Sequence, residues 1–190
     1  MPRHSGGGTT TFSRVTRPEL LSEIQRADPP YVADERTMLE AWLDYHRATL
    51  LRKCEGLSDD QLRTRSVPPS SLSLLGLVRH MAEVERNWFR RILAGEDVPG
   101  IFWTDEEPDG DFDLVDDADP AADIATYREE LRVCREIAAR HPDLDGVGAR
   151  LRRGHEVSLR WIYVHMIEEY ARHNGHADFL RERIDGATGD

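Results

Sequence analysis

Four long segments of the chain repeat their apolar residues at intervals of three, four and seven, which is the period of a buried helical face. These segments cover about residues 34–55, 73–94, 120–140 and 158–184. Nowhere does the sequence show the sustained two-residue alternation between hairpin turns that is typical of strands. The segments are joined by connections of very unequal length. This pattern predicts an all-α fold, a four-helix bundle with a short N-terminal helix and long irregular connections.

Capping residues indicate where the predicted helices begin and end. Ser58 and Gln61 have the spacing of a capping box, Asp119-Pro120 is typical of a helix start, and Gly186 is typical of a helix end. A further capping box at residues 16–19 predicts the short N-terminal helix. We therefore expect helix boundaries close to these residues.

The first 16 residues are rich in Gly, Thr and Ser and have no periodic apolar pattern. We expect residues 1–16 to form a mobile tail and residues 17–190 to form one bundle domain. The two cysteines, Cys54 and Cys134, stand outside any Cys-x-x-Cys pair, and we expect both to be small core residues.

The charge of the chain argues against a nucleic-acid partner. The chain has 25 Lys and Arg residues and 36 Asp and Glu residues, so its formal net charge is −11. A negative net charge has the wrong sign for binding phosphate backbones. No apolar run has the roughly 18 residues that a membrane-spanning helix needs. The N-terminal residues lack the apolar core of a signal peptide, so we expect a cytoplasmic protein.

A long acidic connection joins the second and third predicted helices. Between Trp103 and Asp123 there are ten acidic residues and no basic ones. Their spacing does not match a calcium-binding loop. We interpret this connection as a solvated loop whose negative charge would repel anionic substrates from the mouth of the bundle.

The last predicted helix carries the most informative cluster of polar residues. His165, Glu169, His173 and His176 follow one another at steps of three or four, so they share one helical face. Met166, an apolar residue, lies next to this face of the helix, so we expect the Glu169 carboxylate to point toward the core. A carboxylate in such a place needs a cationic partner, and a metal ion would supply one.

A metal site built on Glu169 and His173 needs a third ligand from another helix, and His80 on the apolar side of the second helix is the candidate. Two histidines and one carboxylate suit zinc, nickel or ferrous iron, with a position left open. The same spacing is also typical of hydrogen-bonded core residues, so both interpretations remain open. No Glu-x-x-His sequence occurs, which argues against a di-iron bundle.

Several stretches of the chain resemble one family. The runs LVRHMAEVERNW at 77–88, SLRW at 158–161 and HMIEEYARHNGHAD at 165–178 look like the DinB-like superfamily. They are most similar to its actinobacterial branch, which contains mycothiol-dependent S-transferases and the maleylpyruvate isomerase N-terminal domain. Residues 43–50 and 184–190 resemble the same branch, so the likeness covers nearly everything after about residue 35.

The resemblance implies a four-helix bundle that holds one divalent metal, zinc first and nickel or iron as alternatives, through His80, Glu169 and His173. A glutamate at position 169, where many members of the superfamily have histidine, is similar to the mycothiol-using type. The implied activity is a thiol S-transferase in which the metal activates a low-molecular-weight thiol, with mycothiol favoured, for attack on an electrophile. Since relatives often form homodimers, a homodimer is also expected.

Three further histidines and two tryptophans are expected near the reaction. His46, His165 and His176 are candidates to orient the ligands or to take the proton of the thiol. Trp42 and Trp88 are candidates to line a binding pocket, although tryptophans at helical spacing are more often plain core. The alternative hypothesis is a non-catalytic bundle that binds a metal or a small ligand.

Overall fold

A computed structural model describes residues 25–189. The predicted tail at residues 1–16 lies outside this part, as does most of the predicted N-terminal helix, and residues 25–34 contain no helix. The described chain has six α-helices and no strand, which confirms the all-α prediction. They are α1 (Glu35–Arg52), α2 (Asp59–Arg63), α3 (Leu74–Glu85), α4 (Gly110–Asp113), α5 (Pro120–Ala139) and α6 (Leu159–Asp185).

The long helices pack as a bundle around one core. α1 packs mainly against α6, while α3 packs against both α5 and α6. The core between them is apolar, and both Cys54 and Cys134 are buried in it as free thiols, as predicted. Between residues 25 and 189, no helix combines the length and the apolar character that crossing a bilayer requires.

The predicted capping residues perform their expected roles. Ser58 and Gln61 form a reciprocal capping box at the start of α2. The Asp119 side chain accepts hydrogen bonds from the first turn of α5, which begins at Pro120. Gly186 ends α6 with a left-handed φ of 79°. These ends of the bundle helices therefore follow from local chemistry.

The second long helix departs from the prediction. We expected one regular helix over about residues 73–94, but the α-helical part ends at Glu85 and Arg86–Leu93 forms a π-helical segment. A π-helix is wider and shifts the side chains that follow relative to a regular α-helix. Apolar periodicity does not distinguish the two, because the segment keeps one buried face.

The end of the π-helical segment anchors the loop that leads to α6. The carbonyl oxygens of Ile92 and Leu93 accept hydrogen bonds from the backbone amides of Arg150 (3.1 Å) and Ala149 (3.0 Å). Gly148 makes this approach possible, because a Cβ atom there would lie 2.7 Å from the carbonyl oxygen of Ile92. The loop is thus tied to the bundle by its backbone.

A buried network of polar groups links all four of the long helices. The Glu85 carboxylate accepts hydrogen bonds from Arg47 Nε (2.7 Å) and from the Tyr170 hydroxyl (2.9 Å). The Tyr170 and Tyr127 hydroxyl oxygens lie 2.7 Å apart. Burial opposes the charge of Arg47, but the adjacent Glu85 carboxylate raises its pKa well above its usual range. Because Tyr170 follows Glu169 directly, this network fixes the rotation of α6 about its axis.

The acidic connection is solvated at most of its carboxylates, as expected, but Asp111 and Asp123 are buried. Asp111 in α4 is buried, and α4 packs against α3. The Arg79 guanidinium donates to the carbonyl oxygen of Leu114, and its Nε lies 3.6 Å from Asp123 Oδ2. Burial raises the pKa of Asp123 to about 6. The connection therefore folds over α3 and supplies buried carboxylates as well as exposed ones.

Candidate metal centre and adjoining cleft

Packing of α3 against α6 brings three candidate ligands together. His80 projects from α3, and Glu169 and His173 project from α6 one turn apart, so that one ligand atom from each lies within 4.8 Å of the others. Glu169 Oε2 lies 3.5 Å from His173 Nε2. The three side chains are largely covered by protein, with His80 the most exposed at 25%.

Two neighbours from the acidic connection hold the His80 ring. Nδ1 of His80 lies 2.8 Å from Asp111 Oδ2, and the ring stacks on Phe112 with centroids 4.8 Å apart. With Nδ1 occupied in this way, Nε2 is the atom of His80 that remains free to bind a metal. A carboxylate behind a ligand histidine fixes its tautomer and its orientation.

The surroundings of His173 favour the neutral form of its imidazole. Burial and the nearby rings of His80 and His176 lower its pKa to about 4. His173 Nδ1 lies 3.4 Å from His176 Nδ1, so Nε2 faces Glu169. A neutral imidazole keeps the lone pair that a metal ligand must offer.

The donor set fits a divalent cation. Two imidazole nitrogens and one carboxylate oxygen are ligands that zinc, nickel and ferrous iron all accept. Three protein ligands leave at least one coordination position for another molecule, as in catalytic rather than structural sites. A cation at this point would also compensate the half-buried charge of Glu169.

A second group of side chains on α6, His165, Glu168 and Glu169, is equally close-set. All three residues come from one helix, however, and the Glu168 carboxylate is half-exposed and engaged by Arg172. His165 instead packs among aromatic rings, 4.7 Å from Trp88 and 4.9 Å from Trp161 between centroids. We regard His165 as a neighbour of the first group, with Nε2 3.5 Å from Glu169 Oε1.

A cleft of about 780 Å³ opens beside the first group, which consists of His80, Glu169 and His173. His80, His165 and Glu169 lie on its wall. Further along, the wall includes the aromatic and basic side chains Trp88, Trp103, Trp161, Arg91, Arg152 and Arg153. The carboxylates of Glu83, Asp109 and Asp111 also lie on it. The site can therefore admit a small molecule next to the three candidate ligands.

The family model for mycothiol S-transferase matches residues 38–186, which include all three candidate ligands and most of the cleft. This chain belongs to the mycothiol S-transferase family. Membership supports a mycothiol S-transferase function in general terms. No curated protein matches the chain.

In this member of the mycothiol S-transferase family, the structure separates two of the predicted site residues from the cleft. His46 Nδ1 lies 3.4 Å from the Asn174 side-chain nitrogen, and Trp42 lies beside His46 with ring centroids 6.0 Å apart. Burial lowers the pKa of His46. Neither His46 nor Trp42 lines the cleft, whereas Trp88 does. The expected pocket role of Trp42 therefore has no support from its position.

Sequence reasoning missed the residues that the connections bring to the site. Asp111, Trp103 and Arg152 lie in segments with no periodic apolar pattern. Asp111 is one carboxylate among ten in its connection, and only the adjacent Phe112 hints that this part of the chain is covered. No local pattern in the sequence distinguishes it from its exposed neighbours.

Proposed function

We propose that this chain is a divalent-metal-dependent S-transferase that joins the sulfur of mycothiol to an electrophile. The observation that carries the proposal is the convergence of His80, Glu169 and His173 beside a cleft in a chain of the mycothiol S-transferase family. Zinc is the first candidate for the metal, since its chemistry matches two imidazoles, one carboxylate and an open position, with nickel and iron as alternatives.

The three ligands and their supports have separate roles in this proposal. A divalent cation held by His80, Glu169 and His173 would lower the pKa of a thiol in its open position, so that the thiolate is available at neutral pH. Asp111 keeps His80 in the ligating tautomer. His176 does the same for His173, from a distance of 3.4 Å.

In this proposal His165 receives the thiol proton. Its Nε2 lies 3.5 Å from Glu169 Oε1, and the ring lines the cleft. A histidine in contact with both the carboxylate and the solvent-filled cleft can accept a proton and release it to water. The indoles of Trp88 and Trp161 pack against the ring and hold it in place.

Location and assembly complete the proposal. The two cysteines are free, which agrees with the reducing cytoplasm, where a low-molecular-weight thiol also stays reduced.

The expected homodimer remains a prediction. Val164 and Phe179 on α6 are exposed apolar residues that would be covered by a second copy, and light scattering measures whether one binds.

The first experiment measures metal content by mass spectrometry, on protein purified without a histidine tag. We expect about one equivalent of metal in the parent and little in Glu169→Gln or His80→Ala. The matched control is Glu168→Gln, which changes the half-exposed neighbouring carboxylate and should leave metal content unchanged. Circular dichroism shows whether each variant keeps its helices.

The second experiment tests transfer itself. Metal-loaded protein should consume mycothiol in the presence of an electrophile faster than free metal does, and Glu169→Gln should abolish the difference. Metal binding without turnover across a panel of thiols and electrophiles would favour the alternative, a non-catalytic metal- or ligand-binding bundle. Absence of metal after reconstitution would make the three side chains hydrogen-bonded core residues and would overturn the proposal.

A further inference from the structure

Three arginines on the cleft wall lack a carboxylate partner. Most arginines of the described chain form ion pairs, but Arg91, Arg152 and Arg153 make none among residues 25–189. Arg91 donates to the carbonyl oxygen of Val98, which leaves its charge uncompensated. In a chain with a net charge of −11, three unpaired cations in one cleft are unexpected.

A tight turn holds two of these arginines in place. Arg152 and His155 exchange backbone hydrogen bonds of 2.8 and 3.0 Å across a two-residue turn. Its central residues, Arg153 and Gly154, have φ values of 51° and 83°. Asn or Gly usually occupies the first of these positions, because a longer side chain is disfavoured in the left-handed region. The conformational cost of an arginine at this position points to a use for its side chain.

The aromatic wall connects Arg152 to the candidate ligands. The Arg152 guanidinium lies 5.6 Å from the centre of the Trp88 ring. Trp88 in turn lies 4.7 Å from the His165 ring, whose Nε2 is 3.5 Å from Glu169. The positive charge therefore sits at the far end of an apolar surface that begins at the site of thiol activation.

A second arginine of the cleft repeats this arrangement. The Arg91 guanidinium lies 5.5 Å from the centre of the Trp103 ring. Guanidinium groups resting on indole faces are partly desolvated and keep their donors directed outward, which suits a planar anion. A carboxylate can accept two parallel hydrogen bonds from one such group.

We propose that the electrophile taken by this cleft is a carboxylate-bearing molecule with a flat apolar body. The body lies against Trp88 and Trp161, and the carboxylate pairs with Arg152, with Arg91 and Arg153 adding positive charge. This inference rests on the proposed transferase function. It also replaces the expectation that the acidic connection repels anionic substrates, because three arginines without a carboxylate partner in the described part of the chain line the same cleft as the carboxylates of that connection.

For an aryl chloride of this class the transfer balances without any further reactant. The thiolate sulfur forms a bond to the ring carbon that carries chlorine, and chloride leaves with the electron pair of the C–Cl bond. The thiol proton passes to His165 and from there to water. The carboxylate remains unchanged and serves only to position the ring.

Binding of unreactive probes tests the anion site independently of catalysis. Neither 3,5-dinitrobenzoate nor 1,3-dinitrobenzene has a leaving group, and they differ in the carboxylate alone. By ligand-observed NMR titration, we expect the benzoate to bind about five- to tenfold more tightly, the range of a partly desolvated ion pair. Arg152→Gln should remove most of this preference, and Arg91→Gln should reduce it. Arg183→Gln, an exposed unpaired arginine on α6 outside the cleft, is the matched control and should preserve it.

Turnover gives the second readout. With mycothiol, the kcat/KM for 4-chloro-3,5-dinitrobenzoate relative to its uncatalysed rate should exceed that for 1-chloro-2,4-dinitrobenzene. Arg152→Gln should lower only the former, by about five- to tenfold. The KM for mycothiol should not change. If Arg152→Gln instead raises only the KM for mycothiol, the arginines bind the thiol substrate, and the proposal is overturned.

The two proposals fail in different ways. A carboxylate preference in binding, lost in Arg152→Gln, combined with no turnover of either chloride would support the anion site and refute the transferase. Turnover without a carboxylate preference, or a preference that Arg152→Gln and Arg91→Gln both leave intact, would refute the anion site and leave the transferase standing.

Discussion

Nδ1 of His80 lies 2.8 Å from Oδ2 of Asp111, a carboxylate that reaches α3 from a connection 31 residues further along the chain. The contact fixes the ring of one candidate ligand from outside the bundle helices. This contact makes the acidic connection part of the candidate metal centre. Removing the contact should therefore weaken metal binding.

Asp111→Asn should lower metal affinity by about 10- to 100-fold, because an amide orients the His80 ring less firmly and withdraws the negative charge behind it. Competition against a chromogenic chelator measures the affinity. Asp113→Asn, which changes an exposed carboxylate of the same connection, is the control. Equal affinities in the two variants would show that Asp111 is not needed to position His80.

Glu85→Gln should destabilise the protein by about 3 kcal/mol, because it leaves the buried Arg47 charge with only the half-exposed Asp44 carboxylate as a partner. Urea unfolding measures the change. Glu136→Gln breaks an exposed pair with Arg132 instead and should leave stability nearly unchanged. Similar losses in both variants would contradict the central position that the structure gives to the Glu85 carboxylate.

Asp123 should make stability depend on pH in a direction unusual for a carboxylate. Its folded pKa of about 6 exceeds its ordinary value of 3.8, so the folded protein holds this proton more tightly than the unfolded chain does. The resulting stabilisation is complete below about pH 4 and is lost as the pH rises through 6.

The test compares the parent with Asp123→Asn, which carries no titrating proton. Between pH 4 and 7 the parent should lose on the order of 2 kcal/mol relative to the variant. Unfolding by urea at a series of pH values measures this difference. Asp117→Asn, in an exposed part of the same connection, should follow the parent. Parallel curves for the parent and Asp123→Asn would count against a buried Asp123 carboxyl.

Gly148→Ala should detach the loop before α6 from the π-helical segment. The added Cβ would meet the Ile92 carbonyl oxygen at 2.7 Å, and the backbone has no flexible group there that can yield. We expect faster hydrogen exchange at the amides of Ala149 and Arg150. Gly175→Ala is the control, because nothing lies within 4 Å of its added Cβ on α6 and the helix gains up to about 1 kcal/mol. Unchanged exchange in Gly148→Ala would contradict the described anchoring.

The architecture could be predicted from the sequence because its signals are local. Apolar spacing gave the four long helices, and the cap at Ser58, the start at Pro120 and the end at Gly186 are set by residues within one turn of each boundary. The π-helical segment could not be predicted, since its apolar spacing serves either helix type. Its form depends on how the segment packs on α5 and on the loop before α6.

The candidate site also contains both residues that the sequence predicts and residues that it does not. Glu169 and His173 are four residues apart on one helix, and His80 lies on the apolar face of another, so their meeting follows from helix packing. Asp111 and Arg152 reach the site through irregular connections of the chain. Their approach depends on where a long connection folds back, which no short stretch of sequence encodes.

The anchoring of the loop by Ile92 and Leu93 has a consequence for how this protein can change. The candidate metal ligands stand on helices that the core holds in place, whereas Arg152 and Arg153 stand on a short turn whose loop is attached mainly through backbone hydrogen bonds. Because backbone hydrogen bonds do not depend on side-chain identity, residues of this turn can be exchanged without repacking the bundle. Activation of the thiol and choice of its reaction partner can therefore evolve, or be engineered, independently.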